Sequence, residues 1–258
     1  MLIRDPRPIS LLTGESATNA ISKLSTNKIV LNSVNEKDRV VICDPNGRVV
    51  DAPYVVWDEN GVILLHCTTE TPDYLSAVAR TLSKNSGHVM DATGAIERYI
   101  CLEKKLPPSA GLSVHGLGVS GSYSIVLNPQ NHENYQVVDL SADLLIEIGG
   151  LTESHLNGNH LPHHIGLLKY VRLDNGCYPG QEIHARMDSR NPSSKKLIRI
   201  DLQYLGEIKS LEIQGHNCKL IPGRTENYAH GIIHQDLPDG EYETDLGIVK
   251  TITVNTAL

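Results

Sequence analysis

Three apolar runs rich in β-branched residues follow one another early in the chain. They are "RVVICD" (39–44), "RVVDAPYVVW" (48–57) and "GVILLHC" (61–67), separated by the turn tetrapeptides "DPNG" and "DENG". Such spacing predicts an antiparallel meander. Helical spacing flanks it. "GESATNAISKL" (14–24) predicts a helix with Ser16 as its capping candidate, and "TPDYLSAVARTLSK" (71–84) predicts another, with Thr71 as cap and Pro72 at the first helical position. "GAIERYICLEKKL" (94–106) is expected to be helical and to stop at Pro107-Pro108. Strands are expected at 111–119, 122–127 and near 135–139, and helix plus irregular loop over 141–170. From "KKLIRIDLQ" (195–203) onward short β-like segments recur, at 209–214, 217–221, 228–234 and 246–254, punctuated by glycine, proline and asparagine. That pattern reads as a small antiparallel barrel or sandwich. The fold class is therefore α+β, with an α+β region over 1–190, a boundary at "RNPSS", and a C-terminal β-barrel over 195–258.

Composition adjusts this picture modestly. With 258 residues, 40% hydrophobic and 21% charged, the chain can bury a sizeable core. There is no phenylalanine and one tryptophan, so the core rests on Leu, Ile and Val, and the ten tyrosines supply most aromatic surface. A formal net charge of −7 argues against a general binder of nucleic acid or of anionic membranes. No apolar run approaches the ~18 residues of a membrane span, and "MLIRDPRPIS" has no apolar signal-peptide core, so a cytoplasmic protein is expected. The five cysteines are odd in number, scattered and without a CxxC pair, which argues against a disulfide framework or a self-contained zinc or iron–sulfur cradle.

One stretch concentrates chemistry: "DNGCYPGQEIHAR", residues 174–186. Asn175-Gly176 is a tight-turn dipeptide. Tyr178-Pro179-Gly180-Gln181 predicts a type II turn, with proline presetting its second position and glycine supplying positive φ at its third. Cys177 therefore sits on a short, stiff loop, which favours an exposed, functional thiol, and Arg186 nearby would favour the thiolate. Cys43, Cys67, Cys101 and Cys218 lie in apolar or strand-like contexts and are expected to be packing residues.

"NGCYPGQEIHARMDSRNPSSKKL" resembles the signature of the YgfZ-type folate-binding family, relatives of the glycine-cleavage T-protein. The matching positions are Gly176, Cys177, Tyr178, Gly180, Gln181, Glu182, Ala185-Arg186, Arg190 and Lys195-Lys196. "LPHHIGLLKYV" and "DPNGRVVD" show weaker similarity. Asn175 stands where the family usually has lysine. The resemblance implies a three-lobed, ring-like fold, two lobes of it within 1–190. It also implies tetrahydrofolate as ligand and a role in assembly or repair of four-iron iron–sulfur enzymes, part of which depends on the motif cysteine. The expected partners are iron–sulfur enzymes or cluster-assembly proteins, with neither nucleic acid nor membrane.

Tetrahydrofolate makes three demands: a carboxylate for the amidine-like pterin edge, apolar or stacking surface for the aminobenzoyl ring, and Arg or Lys for the glutamate tail. Glu182 suits the pterin, Tyr178 the ring, and Arg186 or Arg190 the tail, with Gln181 beside them; a plain Glu182–Arg186 ion pair is the competing reading. One cysteine cannot hold a four-iron cluster alone, so the expected role is that of a binding protein acting on a partner. A folate-dependent aminomethyl or methyl transferase is the alternative. It needs a carboxylate near the transferred carbon, for which Asp44, Asp51 and Asp91 are available by type. A cysteine hydrolase using Cys177 with His184 or His164 has no supporting motif. His155, His160, His163 and His164 do not follow a zinc spacing and read as a solvated histidine-rich loop.

Overall fold

The computed structural model describes residues 1–29, 38–58, 61–82, 87–102, 113–118, 121–189, 194–202 and 208–254. In chain order the first elements are β1 (Leu2–Arg4), β2 (Ile9–Thr13), α1 (Glu15–Ser22), β3 (Asp38–Arg39), β4 (Ile42–Cys43), β5 (Val49–Asp51), β6 (Tyr54–Asp58), β7 (Gly61–Leu65) and α2 (Thr71–Leu82). Then come β8 (His88–Asp91), β9 (Arg98–Cys101), β10 (Ser113–Gly118), β11 (Gly121–Leu127), β12 (Val137–Asp139), α3 (Ala142–Ile148) and α4 (Gln181–Ser189). The last are β13 (Lys195–Asp201), β14 (Ser210–Ile213), β15 (His216–Leu220), β16 (Tyr228–His234), β17 (Gly240–Thr244) and β18 (Gly247–Thr253).

These strands build three sheets and a ribbon. The meander forms β3-β6-β7-β2-β8, with β4-β5 as a separate ribbon, and the second sheet is β10-β11-β9-β1-β12. The third, β14-β15-β16-β13-β18-β17, curls until its edge strands β14 and β17 lie against each other. That gives the nearly closed barrel expected from the C-terminal pattern.

Two expectations change. The predicted helix over 94–106 contains β9 instead, while 103–112 fall outside the described residues. All four β9 residues are buried, because the strand sits inside its sheet between β1 and β11, pairing Ile100 with both Ile3 and Ile125. A strand covered on both faces needs a continuous apolar run, and that run mimics helical spacing. Helix α1 is capped by Gly14, whose φ of 78° suits glycine, and Ser16 lies inside it. By contrast α3 follows local rules at both ends: Ser141 Oγ accepts from Leu144 N at 3.1 Å, and Gly149 closes the helix in the left-handed region.

Period-2 alternation attaches the barrel to the rest. On β13 and β16, Ile198, Ile200, Ala229 and Ile233 fill the barrel interior. Leu197 and Ile232 point the other way, into a core shared with Ile3, Ile63 and Ile100 of the first two sheets and with Leu151 after α3. Arg199 and His230, cross-strand partners on that outer face, reach the end of α3: Arg199 Nη1 donates to the Glu147 carbonyl and His230 Nε2 to that of Ile146 at 3.0 Å.

His230 also meets His155, its Nδ1 2.9 Å from His155 Nε2. His155 Nδ1 accepts from the Thr152 backbone N–H at 3.1 Å. The carbonyl needs a donor and the Thr152 N–H an acceptor, so both rings are neutral, each protonated on Nε2. A further proton on either ring would set two donors face to face. Burial depresses both histidines, with His160 adding to the effect at His155 and Arg199 at His230; His230 falls from the ordinary 6.5 to about 4. The unfolded chain therefore binds more protons between those values, so stability is full above 6.5 and declines as pH falls toward 4. The loss from His230 is on the order of 3 kcal/mol. Urea unfolding should show a lower midpoint at pH 5 than at pH 7.5. His230→Leu should be less stable at pH 7.5 but show a shallower pH dependence.

Candidate functional site

The cysteine loop is built as its turn residues dictate. Gly180 has φ 81° and Gln181 N donates to the Tyr178 carbonyl at 3.2 Å, closing the expected type II turn. Gly176 has φ 85°. Gln181 Nε2 donates to the Leu173 carbonyl at 2.9 Å, and Asn175 Nδ2 to that of Thr26 at 3.3 Å. The turn docks on the distant "DPNG" turn, glycine on glycine. A Cβ on Gly180 would lie 2.2 Å from the Gly47 Cα, and one on Gly47 2.9 Å from His184 Nε2. His184, on the first turns of α4, fastens the pair: its Nε2 donates to the Gly47 carbonyl at 2.8 Å while Nδ1 accepts from Tyr178 Oη at 3.2 Å.

These contacts spread the signature residues apart. Tyr178 is buried against His184, and that burial raises its phenol pKa. Gln181 is committed to the loop. Glu182 and Arg186 pair with each other one turn apart on α4, both largely exposed. Cys177 is the exposed cysteine of the five, lining a surface hollow of about 930 Å³ together with Asn19, Lys23 and Lys28. Arg190 lies outside the described residues. His184, with both ring nitrogens engaged, offers no base to a thiol.

On the other side of the docked turns is a cavity of about 610 Å³. Pro179 and the Asp44-Pro45 turn form one wall, Thr68 to Thr71 at the start of α2 another, and Cys43, Val50 and Leu156 contribute apolar surface. Glu153 is oriented by Thr69, whose N and Oγ1 both donate to Oε1, at 3.1 and 2.8 Å. Asp44 is held by the backbone N–H groups of Asn46 and Arg48, at 2.9 and 2.8 Å. Tyr74 is 52% exposed at the rim. Apolar walls with fixed carboxylates suit a planar ligand that carries an amidine-like donor edge. Residues drawn from between Cys43 and Pro179 make this site, and no single stretch of the sequence announces it.

Asp51 belongs elsewhere. Its Oδ2 accepts from His66 Nδ1 at 2.7 Å, and His66 Nε2 accepts from Ser10 Oγ at 2.9 Å. The geometry is that of a nucleophilic triad, but all three side chains are essentially fully buried and none lines a cavity described above. They pin β5 and β7 to β2. The histidines of 155–164 are not a solvated loop, since His155, His160 and His163 are packed into the interior, and among the described residues no three His, Cys, Asp or Glu side chains converge as metal ligands would.

No protein-family model matches the chain, and no curated protein matches it. Solved structures do. The three-sheet arrangement is a T-protein-like fold. It matches the glycine cleavage system aminomethyltransferase T from Bartonella henselae with a TM-score of 0.65 and 10% identity, over 99% of this chain and 84% of that one. At that identity the likeness is one of fold. No helix among the described residues is long and apolar enough to cross a membrane.

Cys177 should react with iodoacetamide well before the other four, because those are buried; burial pushes Cys218 up to about 12 and raises Cys43 as well. Peptide mapping after brief alkylation of the native protein checks this. Gly180→Ala should cost about 2 kcal/mol or more, through a backbone clash at positive φ, and should speed alkylation of the other cysteines by loosening the fold.

Proposed function

We propose that this chain is a tetrahydrofolate-binding protein that serves iron–sulfur enzymes of the four-iron type, with Cys177 as its functional thiol. The observation that carries the folate part is the 610 Å³ cavity beside the signature turn, in a T-protein-like fold. Its lining fits the pterin end of the molecule: acceptor carboxylates Glu153 and Asp44 for the amidine-like edge, apolar wall for the ring system, Tyr74 for stacking at the rim. Tyr178 and Gln181 serve by fixing the turn whose Pro179 lines the cavity. Glu182 is a weaker candidate for the pterin, being paired with Arg186 and exposed. Bound tetrahydrofolate would supply one-carbon chemistry at N5 and N10; the chain's own part is to orient the pterin and shield it from water.

The exposure of Cys177 on a rigid loop, with the remaining cysteines buried, supports a thiol that meets a partner. It would contribute one ligand or one transient bond to a cluster held mainly by another protein. The aminomethyl-transfer reading draws on the structural neighbour and on Asp44, the one carboxylate of Asp44, Asp51 and Asp91 that lines the cavity.

Calorimetry with tetrahydrofolate tests the proposal. The wild type should bind. Glu153→Gln should weaken binding about tenfold, the cost of a charge-assisted hydrogen bond, and Glu182→Gln should leave it within about twofold. Absence of binding and of any rise in melting temperature well above micromolar ligand overturns the folate reading. Cys177→Ser should bind folate normally yet fail to restore four-iron enzyme activity in cells lacking the native protein; full complementation refutes the thiol's role. Methylene transfer to tetrahydrofolate by the serine variant, lost in Asp44→Asn, would favour the transferase instead.

A further inference from the structure

We infer that the cavity selects reduced pteridines by their pterin and ring portions alone and discriminates against a polyglutamate tail. The inference rests on the folate reading above and concerns which members of that class bind.

The charge of the walls is the reason. Asp44, Glu70 and Glu153 line the cavity, and no lysine or arginine does among the described residues. Arg48, the cation next in sequence to the Asp44 turn, is turned to the Asn159 carbonyl, to which its Nη1 donates. A glutamate tail is a chain of carboxylates, and its recognition calls for guanidinium or ammonium groups. Here each added glutamate brings one more negative charge to the mouth of a cavity that already carries three, and such exposed charges interact over about 10 Å at moderate salt.

The same carboxylates are well set for the opposite end of the ligand. Both Thr69 donors go to Glu153 Oε1, and among the described residues Oε2 takes part in no hydrogen bond, leaving it to accept from an amidine-like N–H. A carboxylate held in advance by a backbone N–H and a hydroxyl loses little freedom on binding. Tyr74, half exposed at the rim, offers the aminobenzoyl ring a face before the chain of the ligand reaches solvent. Affinity therefore ends where the aminobenzoyl group ends, and anything anionic beyond it is a cost.

The test compares tetrahydropteroate, tetrahydrofolate and tetrahydrofolate pentaglutamate by calorimetry on the full-length protein at low and high salt. Tetrahydropteroate should bind at least as tightly as tetrahydrofolate, and the pentaglutamate about threefold or more weakly at low salt, with the gap closing as salt screens the walls. Glu70→Lys, on the exposed rim, should raise pentaglutamate affinity more than tetrahydropteroate affinity. Tighter binding of the pentaglutamate than of tetrahydrofolate by the wild type overturns the inference and leaves the folate reading standing. If none of the three binds, the folate reading itself fails, and the inference with it.

Discussion

A single buried carboxylate, Asp5, ties the first two sheets together. It follows β1 directly and takes two guanidinium groups. Arg7 binds it through Nε and Nη2, at 2.9 and 2.7 Å, and Arg98 of β9 brings Nε to 2.8 Å. Arg98 Nη1 continues to the His66 carbonyl at the end of β7. Burial by itself would push the Asp5 carboxyl up; the two arginine charges overcome it and hold the group below its ordinary range. Ions this deep persist only when paired, and removing one partner of such a group typically costs about 3–5 kcal/mol because the other is left stranded. The relay from Ser10 through His66 to Asp51 abuts this knot, so β1, β2, β5, β7 and β9 all converge on one polar centre.

That centre decides where a ligand can go. Arg7, Arg39, Tyr54 and Tyr123 close around a void of only about 10 Å³, room for roughly one water. Arg39 lies over the Tyr54 ring at 4.5 Å, and Tyr54 and Tyr123 share a 2.7 Å hydrogen bond between hydroxyls. With this centre filled, the larger spaces among the described residues lie further out, one at the Cys177 hollow and one between the Asp44 turn and the start of α2. The docking of Gly180 on Gly47 forms that cavity's wall and at the same time fixes the loop that carries Cys177. One glycine–glycine contact thus couples a cavity on one side of the turn to an exposed thiol on the other.

What the chain determined by itself was local. Positive φ at Gly176 and Gly180, the type II turn, the caps of α3, the meander and the strands of the barrel follow from turn chemistry and from period-2 alternation, which depend on neighbouring residues only. Cys177 was legible as exposed for the same reason: turns on both sides keep a side chain from entering a core. Tertiary structure decided everything that needs a distant partner. Arg98 to Cys101 became a strand because β1 and β11 pair with both its edges inside a covered sheet, which no local spacing announces. His184 looked like a spare base until Gly47, 137 positions away, claimed its Nε2. Tyr178 stands close in sequence to Glu182 and Arg186 yet parts from them in space: it turns inward against His184, while those two pair with each other on the exposed face of α4. The acidic cavity draws on four separate segments, and His155 meets His230 across 75 positions. Burial and charge pairing are properties of the assembled neighbourhood, so the site's electrostatics could be seen only once the sheets had packed.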